Sequence, residues 1–501
     1  MSQIVKTIGR NTLYGYLMMG WTILLGFWIT PRILHLLGNE LYGIWGISLS
    51  TFGFATFLDL GLGSALVVSV ADRQVRENPE EMNKAIHSAM TLYTLMGVVG
   101  GMVLIGGGQW LVRHFLKISP EFQGLAASIL SVYGFLFMIQ MPAKVYDDVL
   151  IGIQRLDVTN KIGICVRTTE RLLVLLLLAA KFPFLLVVWV SGGVGVALYI
   201  FEFLMVKRLI PYHTLRFALR KKDAKELFTR GTQQFIAGFG FVFLGVIDKF
   251  LLGALIHVQT VTFYELASRP SQMLHQLSLR FFHPVYPASA ELGARHETER
   301  LKVLFKKGIK ILFVLLAPLA AAIFLWSGEI IRFWVGTGYE LSGQILRVLT
   351  VGYFVLSFDI IPSAMMFGLN KAWIISYESL IRILLNIALS FLLIRRMGAL
   401  GAAYGLTLAS LITTTFFFFI IAKQIGIEMG EIVREVLLFP LLLCIGVWLL
   451  LREGSSFPLA KGPCFVLFMI FFFWISFIFY IGKKESLSML KAVFGRTPIV
   501  S

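Results

Sequence analysis

Apolar residues fill stretch after stretch of this chain in runs of about twenty, separated by polar connectors, and about twenty helical residues cross a bilayer core. Lipid cannot solvate backbone amides and carbonyls, so each run is predicted to be a helix that pairs them internally. The pattern gives fourteen spans: 11–31, 41–70, 85–108, 121–143, 159–180, 183–206, 229–255, 261–288, 307–327, 341–365, 373–394, 399–422, 432–451 and 463–482. The second and eighth are overlong, which predicts tilt or an extension beyond the membrane.

The connectors orient the spans. Counting alternate sets, 28 Lys and Arg fall on the side of the N-terminus and 9 on the other. The positive-inside bias therefore predicts both termini in the cytoplasm. Composition agrees, with 57% hydrophobic residues, 15% charged and 44 Phe. The net charge of +17 reads as topology rather than as a nucleic-acid footprint.

The longest polar interruption, 207–228, is basic and predicted to be a cytoplasmic linker resting on anionic headgroups or lying solvated. It divides the chain into six spans at 1–206 and, after it, six more at 229–425, with two additional spans and a tail at 426–501. The halves read as repeats. Gly152-Ile153-Gln154-Arg155 follows the fourth span and Gly368-Leu369-Asn370-Lys371 follows the tenth, each preceded by a proline, Pro142 and Pro362. Such repeats often build a transport site between two bundles.

Each repeat leads into an arginine. Arg167, Glu170 and Arg171 share one face of the fifth span, and Glu378 and Arg382 lie one turn apart on the eleventh. These groups are predicted on the order of 10 to 18 Å inside the membrane boundary. Ionised groups there cost at least about 2.5 to 3.5 kcal/mol each, so they should face a partner or a wet cavity. Guanidinium forks at that depth suit a pyrophosphate; the plainer reading is that Glu170 and Glu378 pair with them to lock helices together.

Asp59 and Asp359 come late in their spans, where carboxylates are commonly hydrated, though either could titrate with transport. Asp248, Lys249 and Arg32 sit near the other ends, where snorkelling is expected. Arg269 has Glu265 one turn back, and Arg280 is flanked by His275 and His283. Gly97/Gly101 and Gly401/Gly405 would permit close helix approach. Cys165, Cys444 and Cys464 form no C-x-x-C pair and are expected to be small core residues, with no metal or cofactor implied. Nothing at the start reads as a removable leader. A phosphate-binding G-x-x-x-x-G-K-S/T loop, H-E-x-x-H and D-x-D are all lacking, so hydrolysis of ATP on this chain is excluded and catalysis is not expected.

Several stretches together resemble the opening of the polysaccharide-transporter flippases of the multidrug/oligosaccharidyl-lipid/polysaccharide exporter superfamily. They are Pro31-Arg32-Ile33-Leu34 through Leu37-Gly38, Tyr42-Gly43-Ile44-Trp45 and Leu58-Asp59-Leu60-Gly61-Leu62-Gly63. Further matches are Gly152-Ile153-Gln154-Arg155, Asp248-Lys249-Phe250-Leu251-Leu252-Gly253 with Tyr264-Glu265-Leu266-Ala267, and Gly398-Ala399-Leu400-Gly401-Ala402-Ala403-Tyr404. The likeness covers residues 1–425.

It implies an all-α polytopic membrane protein of about 14 transmembrane helices, two six-helix lobes in a V around a central cavity plus two C-terminal helices. It also implies export of an undecaprenyl-pyrophosphate-linked oligosaccharide (an O-antigen, capsule or exopolysaccharide unit) across the bacterial inner membrane by alternating access. Members typically carry a cationic cavity; Arg167, Arg171 and Arg382, with Arg269, are where the charge reading places it, and Glu170, Glu378, Asp59 and Asp359 are candidate coupling or salt-bridge partners. Expected partners are the lipid-linked oligosaccharide, membrane lipids and other glycan-assembly membrane proteins, not nucleic acid. The first span lacks the acidic residue common in drug exporters. The competing readings are a drug or cation antiporter of the same fold, a membrane glycan polymerase or ligase, and a non-transporting scaffold.

Overall fold

The computed structural model describes residues 2–214, 216–428 and 430. The spans predicted at 432–451 and 463–482, with Cys444 and Cys464, lie outside the described residues. Among the described residues every regular element is helical, and there are no strands. In chain order the helices are α1 (Ser2–Ala55), α2 (Leu62–Val75), α3 (Pro79–Trp110), α4 (Pro120–Ala143), α5 (Val145–Gly152), α6 (Leu156–Ala179), α7 (Phe184–Leu209) and α8 (Lys221–Leu255). Then come α9 (Val258–Ser278), α10 (Phe282–Ala294), α11 (Thr298–Leu325), α12 (Ser327–Val335), α13 (Glu340–Ser357), α14 (Ile360–Gly368), α15 (Ala372–Met397) and α16 (Ala399–Ile425). Eight helical stretches among the described residues are long and apolar enough to cross a membrane.

The chain divides into two compact units. The first comprises Met1–Glu265, Arg332–Tyr339 and Ile394–Ala402; the second comprises Leu266–Ile331, Glu340–Leu393 and Ala403–Ser501.

The overlong spans are broken, not extended. Span two leaves α1, passes through a 3-10 turn at Thr56–Asp59 and restarts as α2; span eight is α9, a 3-10 turn at Leu279–Phe281, then α10. Span ten breaks as well, into α13 and α14, while α4 fills span four unbroken and α5 restarts directly after it. The physical reason at span two is local. Leu60 and Gly61 are left-handed (φ 49° and 77°), and the Asp59 carboxylate accepts the Gly61 amide at 2.9 Å, occupying a donor that the break frees. The Leu-Asp-Leu-Gly-Leu-Gly motif is therefore a built-in helix break. The Gly-Ile-Gln-Arg and Gly-Leu-Asn-Lys matches also acquire a physical content. In each, the last amide reaches back five residues, Arg155 to Leu150 O at 2.8 Å and Lys371 to Met366 O at 2.8 Å, with Gln154 and Asn370 left-handed at φ 60° and 57°. Both are helix-terminating Schellman turns. The same turn ends α2 at Glu77 (φ 51°) and α10 at His296 (φ 57°).

Close helix approach rests on glycine, as the spacing implied. A Cβ on Gly101 would lie 2.6 Å from the Gly134 carbonyl, so α3 and α4 touch backbone to backbone; a Cβ on Gly405 would meet the Ser390 backbone at 2.7 Å. Around this contact Tyr93, Phe137, Leu66 and Val149 form part of the buried core of the first unit.

Gly61 combines a positive φ with a neighbour: its added Cβ would sit 2.2 Å from the Gly231 carbonyl, whereas Gly53 has open space. Gly61→Ala should lower the detergent-solubilised melting temperature, from about 1 to 2 kcal/mol of left-handed strain plus the clash. Gly53→Ala, in a helix, should leave it unchanged or raise it by up to about 1 kcal/mol in stability terms. Equal melting temperatures for the two variants would contradict this account of the break.

Candidate functional site

In the second unit the break in span ten places Asp359 at the start of α14, facing α15 and α16. Arg382 on α15 ion-pairs with both Asp359 and Glu378, and its Nε donates to Thr413 Oγ1 of α16 at 2.8 Å. Thr414 Oγ1 donates to Asp359 Oδ2 at 3.0 Å. The three charged residues are 5%, 6% and 8% exposed for Arg382, Asp359 and Glu378, so one guanidinium is shared by two carboxylates away from solvent. The buried His275 imidazole also feels the Arg382 charge. An apolar groove of about 260 Å³ overlies the cluster, with Glu378 and Thr413 in its lining and Trp373, Tyr377 and Phe416 as aromatic walls. Asp359 is thus buried in an ion cluster rather than merely hydrated, and the Arg382 fork is taken up by protein groups.

In the first unit the junction of α4 and α5 carries Lys144, whose ammonium binds Asp59 Oδ2 at 2.6 Å and lies 5.6 Å over the Tyr93 ring. Tyr93 donates to Asp148 at 2.7 Å. Glu202 of α7 is 1% exposed, and its Oε2 has no hydrogen-bond partner in the structure. Arg167 is exposed and makes no salt bridge among the described residues. Glu170 accepts from Ser191 at 2.7 Å, and Arg171, one turn beyond Arg167, is half-buried. The structure thus places Arg167 and Arg171 in one unit and Arg382 in the other.

Other charges differ from expectation. Asp248 and Lys249 do not snorkel: they are 0% and 8% exposed, Tyr264 donates to Asp248 at 2.6 Å, and Lys249 binds Glu265 at 2.5 Å and Ser50 at 3.0 Å. Burying both without partners would be prohibitive, and the Tyr264-Glu265 motif supplies the partners. Glu265 thus bridges to Lys249 in addition to standing one turn from Arg269, which is half-buried on α9. Arg32 does lie along the helix surface, over the Trp28 ring at 4.0 Å. Cys165 is exposed on α6, not a core residue, because the buried face of that helix runs through Gly163, Val166 and Val174.

The sequence reading missed Lys144, Asp147, Asp148 and Glu202 as a cluster. Its one available signal was Glu202, the single acidic residue of the Phe184–Leu209 helix.

Beyond the spans, the 207–228 segment is anchored by charge. Arg220 holds Glu81 with two bonds of 2.8 Å and Asp223 at 2.9 Å, while Arg73 binds Asp223 and Glu226 at 3.1 Å each. These partners hold the Arg220 guanidinium further into its charged form than usual. His213 donates from Nδ1 to Asn83 at 2.9 Å, and burial, with the nearby His87, pushes its pKa down to about 4. From residue 221 onward the segment is the first turns of α8.

Two outcomes follow from these contacts. Arg382→Met leaves two buried carboxylates facing each other and should destabilise the protein by about 3 to 5 kcal/mol. Adding Asp359→Asn and Glu378→Gln should restore much of the melting temperature, and no restoration would refute a cluster governed by charge. For His213, the undocked imidazole takes up protons near its ordinary 6.5 and the docked one only near 4. Docking is therefore fully favoured above the higher value and weakens as pH falls between the two. Amide protection factors over residues 210–214 and 216–220, referred to the intrinsic exchange rate at each pH, should fall with acidification across that window, and His213→Gln should flatten the dependence.

The comparisons agree on one family. The model described as "Polysaccharide biosynthesis protein" matches residues 8–293, and that described as "Lipid II flippase MurJ" matches residues 162–472. A protein of Shigella flexneri named "Putative O-antigen transporter" is 23% identical over 381 residues, 73% of this chain and 86% of its own length. A solved lipid II flippase MurJ in an inward closed conformation superposes with a TM-score of 0.69 at 14% identity, covering 96% of this chain and 100% of that one. An inward-facing multidrug-resistance MATE transporter gives 0.67 at 14% identity, covering 84% and 98%. These two establish the fold, and the family models establish the membership: the chain belongs to the multi-pass polysaccharide flippases of the MOP superfamily.

Proposed function

We propose that this flippase moves an undecaprenyl-pyrophosphate-linked oligosaccharide from the cytoplasmic to the periplasmic leaflet of a bacterial inner membrane by alternating access, with both termini in the cytoplasm. The observation that carries the reading is Arg167, an exposed guanidinium without a salt bridge among the described residues, on the face of α6 that also bears Arg171. A planar fork that keeps its charge at any physiological pH is suited to a pyrophosphate in two-point contact. The O-antigen transporter name of the Shigella relative supports a glycan cargo.

Arg167 makes first contact with the anion, and Arg171, one turn beyond it on the same face, is the next contact. Arg382 and Arg269 are secondary contacts, and Arg382 can join only by exchanging a carboxylate of Asp359 or Glu378 for phosphate oxygens. Glu170 and Asp59 remain salt-bridge or hydrogen-bond partners that position the cationic side chains.

Arg167→Ala and Arg171→Ala should each remove one charge-assisted contact, about 1.5 to 3 kcal/mol, which is roughly 10- to 100-fold in substrate affinity. In a host lacking its own flippase, the surface glycan restored by either variant should fall while the amount of protein in the membrane is unchanged. Full glycan display by the double variant would remove these residues from the substrate site.

A further inference from the structure

From Lys207 to Lys222 the sequence holds six Lys and Arg and no acid. The structure divides them by role. Arg220 turns onto α3 and α8, where Glu81 and Asp223 hold it at 2.8 and 2.9 Å. Lys207, Arg208, Arg216, Lys221 and Lys222 are exposed, as is Lys225 one turn beyond Lys221, and these six form no salt bridge among the described residues. The acids nearby are already engaged: Glu81 and Asp223 by Arg220, Asp223 and Glu226 by Arg73, and Glu80 by Lys84. Lys221, Lys222 and Lys225 share one face of α8, opposite the buried Asp223 and Leu227. Among these cations stand two outward apolar side chains, Phe217 at 63% exposure and Leu219 at 54%.

The bonds that hold the segment set its depth. Asn83 donates to the Tyr212 carbonyl at 3.0 Å, His87 Nε2 donates to the Thr214 carbonyl at 2.6 Å, and the Arg220 amide donates to Ser88 Oγ at 3.2 Å. These partners lie within one helical turn, about 5 Å, of residue 85, where the third span is predicted to begin. The segment therefore runs alongside α3 at the level where hydrocarbon gives way to headgroups. That layer accepts both kinds of side chain present: long cationic stems reach phosphate, and apolar tips bury at the acyl boundary. Clusters of about four to eight Lys and Arg beside a span are the size that attracts anionic lipid, and six stand here without a protein counter-charge.

We propose that Lys207–Lys225 is a binding surface for anionic phospholipid: Arg220 fastens it to α3, and its six outward cations with Phe217 and Leu219 engage the headgroup layer. Anionic headgroups fit better than an acidic protein because the cations flank apolar side chains at bilayer level. The leaflet is the cytoplasmic one under the orientation proposed above, whereas the lipid contact itself depends neither on that orientation nor on the cargo.

A nitroxide on Ala218→Cys, an exposed position between the two apolar residues, tests this in the full-length chain with Cys165→Ser, Cys444→Ser and Cys464→Ser. The labelled protein is placed in nanodiscs of phosphatidylcholine alone or mixed with phosphatidylglycerol, and its collisions with lipid-soluble oxygen and a water-soluble nickel chelate are compared. Phosphatidylglycerol should shift the label from nickel towards oxygen. Raising salt from about 0.1 to about 1 M, which shortens the screening length from about 10 to about 3 Å, should reverse the shift. Arg216→Gln, Lys221→Gln and Lys222→Gln together should abolish the response to phosphatidylglycerol while the protein elutes on gel filtration as its parent does. A label equally open to nickel in both membranes, or equally open to oxygen in both, overturns the proposal, as does an undiminished response in the triple variant. Nickel collisions that ignore phosphatidylglycerol but fall on adding polyglutamate would assign the surface to an acidic protein instead.

Discussion

A helix that stops inside a bilayer frees amides and carbonyls that hydrocarbon cannot solvate, and that constraint shapes this molecule. Spans two, eight and ten are interrupted, and α5 restarts directly after span four. At the interruption in span two the Asp59 side chain takes up a backbone amide, and at the α4–α5 junction and the interruption in span ten a charged residue finds an ionic partner on another element. Lys144 and Asp359 occupy these two junctions with opposite charge. The breaks and the polar clusters are therefore one feature: the chain can afford to bend only where it also brings polar groups together.

The two clusters differ in chemical character. Around Arg382 a cation is saturated by acids and threonine hydroxyls, so its first role is cohesion of α14, α15 and α16. Around Lys144 the balance is reversed, with acids in excess and Arg167 left facing outward. The two charge balances lie in different units of the chain.

Much of the architecture was legible because its signals are local. Runs of apolar residues located the helices, and the Gly-Ile-Gln-Arg and Gly-Leu-Asn-Lys matches located the repeat through a turn whose hydrogen bonds span only five residues. The overlong spans were visible as anomalies, but helix periodicity continues across Leu60-Gly61 and hides the break. Ion pairing was less legible, since it depends on which helices meet. Glu265 stands one turn from Arg269 in sequence, yet it bonds Lys249, sixteen positions before it. Lys144 and Asp59 bond across 85 positions of chain, and nothing local to either residue names the other.

The repeated turns that end α2, α5 and α10 and follow α14 have a further consequence. Glu77, Gln154, His296 and Asn370 all hold left-handed backbone that glycine adopts at no steric cost. What the two halves preserve is thus a dihedral angle, not an amino acid. Each such site stores conformational tension on the order of 1 kcal/mol that a single residue without a Cβ would relieve. The fold therefore retains an untapped margin of stability at its own helix ends, open to selection without touching any group that could contact cargo.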